Sequence, residues 1–88
     1  MVTQEVAIVN KLGLHARPAA LLVKTAGKFS SNIIFRKGNL EVNGKSIMGV
    51  MMLAAEQGAK IIIRVEGSDE KRALKAIVEI FETKFGEA

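Results

Sequence analysis

The spacing of apolar and polar positions changes period several times along the chain, and each change predicts a new element. "VTQEVAIV", Val2 to Val9, is rich in β-branched residues and partly alternating, which predicts a first strand. Asn10 to Gly13 breaks it. From Ala16 the period becomes helical, with Ala19, Leu22, Val23 and Ala26 on one stripe. Pro18 is tolerated there because the first turn of a helix needs no intrahelical amide partner. Gly27 is the expected stop. "NIIFRKGNLEVNGK" predicts a hairpin of two short strands, Ile33 to Lys37 and Leu40 to Val42, with a Lys-Gly-Asn turn between them. A short helix is expected between Ser46 as N-cap and Gly58 as stop. In "AKIIIRVEG", Ile61, Ile63 and Val65 face one way and Ile62, Arg64 and Glu66 the other, the clearest strand in the chain. The last helix takes Ser68 as cap and Asp69 and Glu70 in its first turn, carries Leu74, Ile77, Val78, Phe81 and Phe85 as its apolar stripe, and ends at Gly86.

The resulting order, βαββαβα, mixes a hairpin with crossovers and predicts an α+β fold whose helices cover one face of a largely antiparallel sheet. The length of 88 residues fits one domain, 1–88, and no linker or repeat divides it. No apolar run approaches the roughly 20 residues that cross a bilayer, so no membrane insertion is expected. No basic, apolar leader precedes the first strand, which suggests a cytoplasmic protein. With no cysteine and a single histidine, disulfides, thiolate chemistry and His-rich or Cys-type metal sites are excluded, and no cofactor is expected. The net charge of +4 and pI near 9.7 fit a nucleic-acid partner, an acidic protein partner or plain solubility. Absence of Trp and Tyr, and Lys and Arg scattered among Glu and Asp, weigh against nucleic acid.

The only histidine and the only proline stand three positions apart in "LGLHARPAALL", with Arg17 between them. If the helix begins where its period begins, His15 sits at the N-cap, followed by the amides of Ala16 and Arg17. That end of a helix dipole attracts anions and disfavours imidazolium, which favours a neutral ring with a nucleophilic nitrogen. Arg17 adds a planar donor fork suited to phosphate oxygens. These residues describe a phosphoryl acceptor; the bland alternative is an exposed loop histidine, a helix-starting proline and a solvated arginine.

Ser46 raises the same choice. It is either a cap worth about 1 kcal/mol or a modification site where a phosphoryl group adds about two negative charges to the surface. After it, Ile47, Met48, Val50, Met51, Met52 and Leu53 leave almost no polar face. They are either all core or, for the methionines, an adaptable exposed patch for protein partners, rimmed by Lys24, Lys28 and Lys45.

"GLHARPAALLV" and "KSIMGVMML" together resemble the two signature segments of the histidine-containing phosphocarrier family, HPr, of the bacterial phosphoenolpyruvate-dependent sugar phosphotransferase system, and the resemblance extends along the whole chain in element order. It implies an open-faced β-sandwich with a four-stranded antiparallel sheet and three helices. It also implies that His15 accepts a phosphoryl group on Nδ1 from phosphorylated Enzyme I and passes it to sugar-specific IIA domains, with Arg17 stabilising the group and the Ala16 amide beside it. The Ser46-Ile47-Met48-Gly49 run is similar to the Gram-positive type, in which an ATP-dependent HPr kinase/phosphorylase modifies the serine and the product acts with the catabolite control protein. The partner surface would comprise Ala20, Lys24, Ile47, Met48 and Met51, and a monomer suits a carrier visiting several partners. Met51-Met52-Leu53-Ala54 departs from the Met-Ser-Leu-Gly more usual in that type.

Overall fold

The computed structural model describes residues 1–87; Ala88, the last residue of the domain read from the sequence, lies outside them. Four strands, β1 (Val2–Ala7), β2 (Asn32–Lys37), β3 (Leu40–Asn43) and β4 (Lys60–Glu66), form one sheet in the order β1-β4-β2-β3, antiparallel throughout. Three helices, α1 (Ala16–Ala26), α2 (Ile47–Met52) and α3 (Glu70–Glu82), accompany it. This is the expected βαββαβα architecture, an open sheet with three helices.

Register follows from the pleat. β4 pairs Ile61 with Val6 and Val65 with Val2 on one side, and Ile63 with Phe35 on the other. Ile33, Phe35, Ile61, Ile63 and Val65 are therefore on one face, and all are buried with Leu22, Val50, Ile77 and Phe81 from the helices. Shifting β4 by one residue would turn Arg64 and Glu66 into that core.

The structure moves several boundaries. The second helix stops at Met52, with Leu53 as C-cap and Ala54 in a left-handed conformation (φ +46°), well short of Gly58. Ser68 does not cap α3; the N-cap residue is Asp69, and its carboxylate reaches away from the helix. It accepts from the backbone amides of Ser30 (2.9 Å) and Ser31 (3.0 Å) and from the Ser31 hydroxyl. The Ser31 hydroxyl, the Ser30 amide and the Ser31 amide together outweigh the cost of burial and hold the Asp69 carboxyl down to about 2.

Phe85 is not part of the α3 stripe. The helix ends at Glu82, and Lys84, Phe85 and Gly86 all adopt positive φ (+58°, +55° and +73°). Two consecutive non-glycine residues in this region cost about 1–2 kcal/mol each, so the turn persists only because other contacts impose it. The Phe85 ring supplies one: it is buried and meets Phe81 edge-on at 5.1 Å, and Phe81 in turn meets Phe35 at 6.2 Å. This aromatic chain anchors the segment that follows α3 and points it at the start of α1.

Candidate functional site

His15 is the N-cap residue of α1, with extended backbone, and its side chain makes no capping bond. Its carbonyl accepts from the Ala19 amide at 3.0 Å, closing the first turn, and Pro18 is buried inside that turn. The amides of Ala16 and Arg17 belong to the turn whose donors have no carbonyl behind them in the helix. The loop before His15 is held from two directions. Leu14 donates its amide to Ala55 O at 2.8 Å, and the fully buried Asn10 donates through Nδ2 to Gly13 O at 2.8 Å. Gly13 is required there: its φ is +68°, and a Cβ would stand 2.5 Å from Ala55 O.

The imidazole is part of a four-residue polar cluster. His15 Nε2 lies 2.8 Å from Glu87 Oε2. Arg17 donates to the same oxygen from Nε at 3.0 Å and Nη2 at 2.7 Å, and Nη2 also reaches Phe85 O at 3.0 Å. Asn10 Nδ2 donates to the other carboxylate oxygen, Oε1, at 2.9 Å. Burial raises the Glu87 carboxyl, but hydrogen bonds from Arg17, Asn10 and His15 outweigh it and leave the group below its ordinary value. Glu87 is thus an anion at neutral pH, 15% exposed, in the seat where the sequence predicts phosphate binding. Because a carboxylate only accepts, His15 must carry its proton on Nε2 in this contact. In a neutral ring the lone pair then resides on Nδ1, which has no hydrogen-bond partner among the described residues.

The structure brings His15, Ala16 and Arg17 together as the sequence predicts, and adds Glu87 and Asn10, which sequence reasoning missed. Glu87 is 72 positions away and carries no motif; only the left-handed turn before it delivers it here. Ser46 shares no hydrogen bond with this cluster. It caps α2, accepting the Gly49 amide on Oγ at 3.1 Å. Of the predicted partner surface, Ala20 and Lys24 are exposed on α1, and Ile47, Met48 and Met51 on α2, which packs against α1. Met48 is the most open of the three on α2 at 74%, whereas Val50 and Leu53 are core. Lys45 does not rim the patch with a free ammonium; its Nζ donates to Phe29 O at 2.7 Å. Among the described residues no group of three or more His, Cys, Asp or Glu side chains is placed to hold a metal. No helix among them is long and apolar enough to cross a membrane.

Comparison with known proteins decides the family. Residues 2–83 match the family model described as the PTS HPr component phosphorylation site. The chain belongs to the HPr family. It is 52% identical over 87 residues to the phosphocarrier protein HPr of Xylella fastidiosa, covering 99% of this chain and 98% of the relative. A crystal structure of HPr-C-His from Thermoanaerobacter tengcongensis matches with a TM-score of 0.96 at 53% identity, covering 100% of this chain and 99% of that one. Crh, described as the catabolite repression containing protein of Bacillus subtilis, matches with a TM-score of 0.76 at 40% identity, covering 96% and 97%. The HPr fold and the general phosphocarrier role within the phosphotransferase system therefore apply to this chain.

Proposed function

We propose that this chain carries a phosphoryl group on His15 Nδ1, taking it from phosphorylated Enzyme I and delivering it to sugar-specific IIA domains. One observation carries the assignment: the imidazole stands at the start of α1 with Nε2 engaged by Glu87 and Arg17 on the same carboxylate, so the nitrogen left with a lone pair is Nδ1. Arg17 stabilises the transferring group, and the amides of Ala16 and Arg17 add partial positive charge. The chain is a carrier, not an enzyme with a substrate pocket of its own, and its donor and acceptor proteins complete the active site. It works without cofactor, as a monomeric single domain in the cytoplasm. Ala20, Lys24, Ile47, Met48 and Met51 form the docking patch, an exposed apolar surface beside an exposed ammonium.

Incubation with phosphoenolpyruvate and Enzyme I should add one acid-labile phosphate per chain by intact mass. A normal yield from His15→Ala would sink the assignment.

Ser46 is proposed as the regulatory site, modified by an HPr kinase/phosphorylase and read by the catabolite control protein. Support comes from the Ser46-Ile47-Met48-Gly49 run and from similarity to Crh, which is named for catabolite repression. If the kinase with ATP leaves Ser46 unmodified, this role fails.

A further inference from the structure

Glu87 stands apart from everything the function has absorbed: an ionised, mostly buried carboxylate, brought to the histidine by a backbone turn that is costly to hold. We propose that Glu87 is a positioning residue that makes Nδ1 the sole reactive nitrogen of His15 and supports the charge the ring acquires in transfer, a reading that rests on His15 being the acceptor. Three observations converge on it.

The first is engagement of a single nitrogen. Nε2 donates to Glu87 Oε2 at 2.8 Å, so its lone pair is not available for attack and the tautomer is set. The second is that the carboxylate is itself held from both sides, by Asn10 on Oε1 at 2.9 Å and by Arg17 on Oε2 at 2.7 and 3.0 Å. Asn10 is fully buried and also fixes Gly13 O, so the loop carrying His15 and the group orienting its ring share one anchor. A carboxylate that orients an imidazole from the nitrogen opposite the reacting one is the arrangement that acyl-transfer triads use. The third is the strained turn. Lys84 and Phe85 are kept left-handed while Phe85 is buried and its carbonyl is tied to Arg17, which leaves Glu87 little freedom to depart.

The chemistry balances without an added proton acceptor. The Nδ1 lone pair forms the new N–P bond while the donor's bond to phosphorus breaks, its electron pair leaving with the donor atom. The ring keeps its Nε2 proton and becomes cationic. That charge develops 2.8 Å from the Glu87 carboxylate, so the stabilisation grows as the bond forms.

Phosphoramidate, a small donor that transfers its phosphoryl group to imidazole and leaves as ammonia, tests this without any protein partner. Wild type, Glu87→Ala and Glu87→Gln would each be treated, and the phosphohistidine isomer and its rate of formation read by 31P NMR. Wild type should give the Nδ1 isomer alone. Glu87→Ala, with Nε2 released, should give at least about one-tenth of the Nε2 isomer, since both ring nitrogens can then act as acceptors. Glu87→Gln keeps an oxygen acceptor for Nε2–H and should keep the Nδ1 isomer, but form it about threefold or more slowly because the neutral acceptor makes a weaker bond to the cationic ring. Only the Nδ1 isomer from Glu87→Ala, at whatever rate, overturns the positioning role; a faster reaction of that kind would make Glu87 a competitor of the phosphoryl group instead. Equal rates for Glu87→Gln and wild type overturn the charge support. No phosphohistidine in wild type overturns the His15 reading itself, and the proposal with it.

Discussion

The amide of Leu14 donates to Ala55 O at 2.8 Å, tying the loop that presents His15 to the segment that follows α2. The two backbones approach this closely because Gly13 has no side chain. Adding a Cβ at Gly13 would place it 2.5 Å from Ala55 O, in a backbone conformation (φ +68°) that alanine disfavours. Gly13→Ala should therefore destabilise the fold by about 1–3 kcal/mol, through overpacking and backbone strain together. Urea unfolding measures it. Because the displaced loop carries His15, phosphoryl uptake should fall in the variant even under conditions where it is fully folded.

The residue before Ala55 carries strain of its own. Ala54 follows the C-cap of α2 with φ +46°, the position where glycine is the usual residue. Ala54→Gly should relieve the left-handed cost, and after the greater chain entropy of glycine the net gain should be about 0.5–1 kcal/mol. An unchanged or lower midpoint of thermal unfolding would show that neighbouring contacts already compensate.

The same two residues mark where the sequence is readable and where it is not. Gly13 is legible as a break because glycine announces positive φ. Ala54 is not, since alanine is the strongest helix former, and a reading of the pattern extends α2 to Gly58 when it stops at Met52. The buried face of β4 follows from alternation alone, because a two-residue period that keeps Arg64 and Glu66 outside puts Ile61, Ile63 and Val65 in the core. Phe85 fits the helical period of α3 but lies beyond it, a case in which burial of the ring, not helical spacing, holds the position. At the site, His15 and Arg17 were legible because a helix start confines their chemistry to a few neighbouring residues. Asn10 and Glu87 were not, because their roles depend on a meeting 77 positions apart that no local period encodes.

Asp69 fastens the other end of α3 to the start of β2, and its folded-state value of about 2 is below the 3.8 of an unconstrained aspartate. The unfolded chain therefore binds the proton first as pH falls. The stabilisation is fully present above about pH 4 to 5 and is lost progressively as pH drops from 3.8 towards 2. Asp69→Asn should lower the unfolding midpoint at pH 6 and flatten its dependence on pH between 4 and 2, since no ionisation remains at this position. Parallel curves for variant and wild type across that window would show that other carboxylates dominate acid unfolding.

Ser46 allows capping and charge to be separated. Its Oγ accepts the Gly49 amide at 3.1 Å, so Ser46→Ala should cost about 1 kcal/mol by leaving that donor without its partner. Ser46→Asp retains an acceptor at the same position and should unfold within a few tenths of a kcal/mol of wild type, because Asp and Ser cap about equally well. What it adds is a negative charge beside the exposed Ile47 and Met48, on the surface proposed to receive Enzyme I. Phosphoryl uptake from phosphoenolpyruvate through Enzyme I should therefore slow about threefold or more in Ser46→Asp and stay near wild type in folded Ser46→Ala. If the block is electrostatic, raising ionic strength from about 0.05 to 0.5 M should remove most of the difference, since screening shortens the reach of an exposed charge to a few ångströms. A deficit that persists at high salt would mean that the substitution alters the shape of the docking surface. Equal rates at low salt would exclude Ser46 charge as a control on transfer to His15.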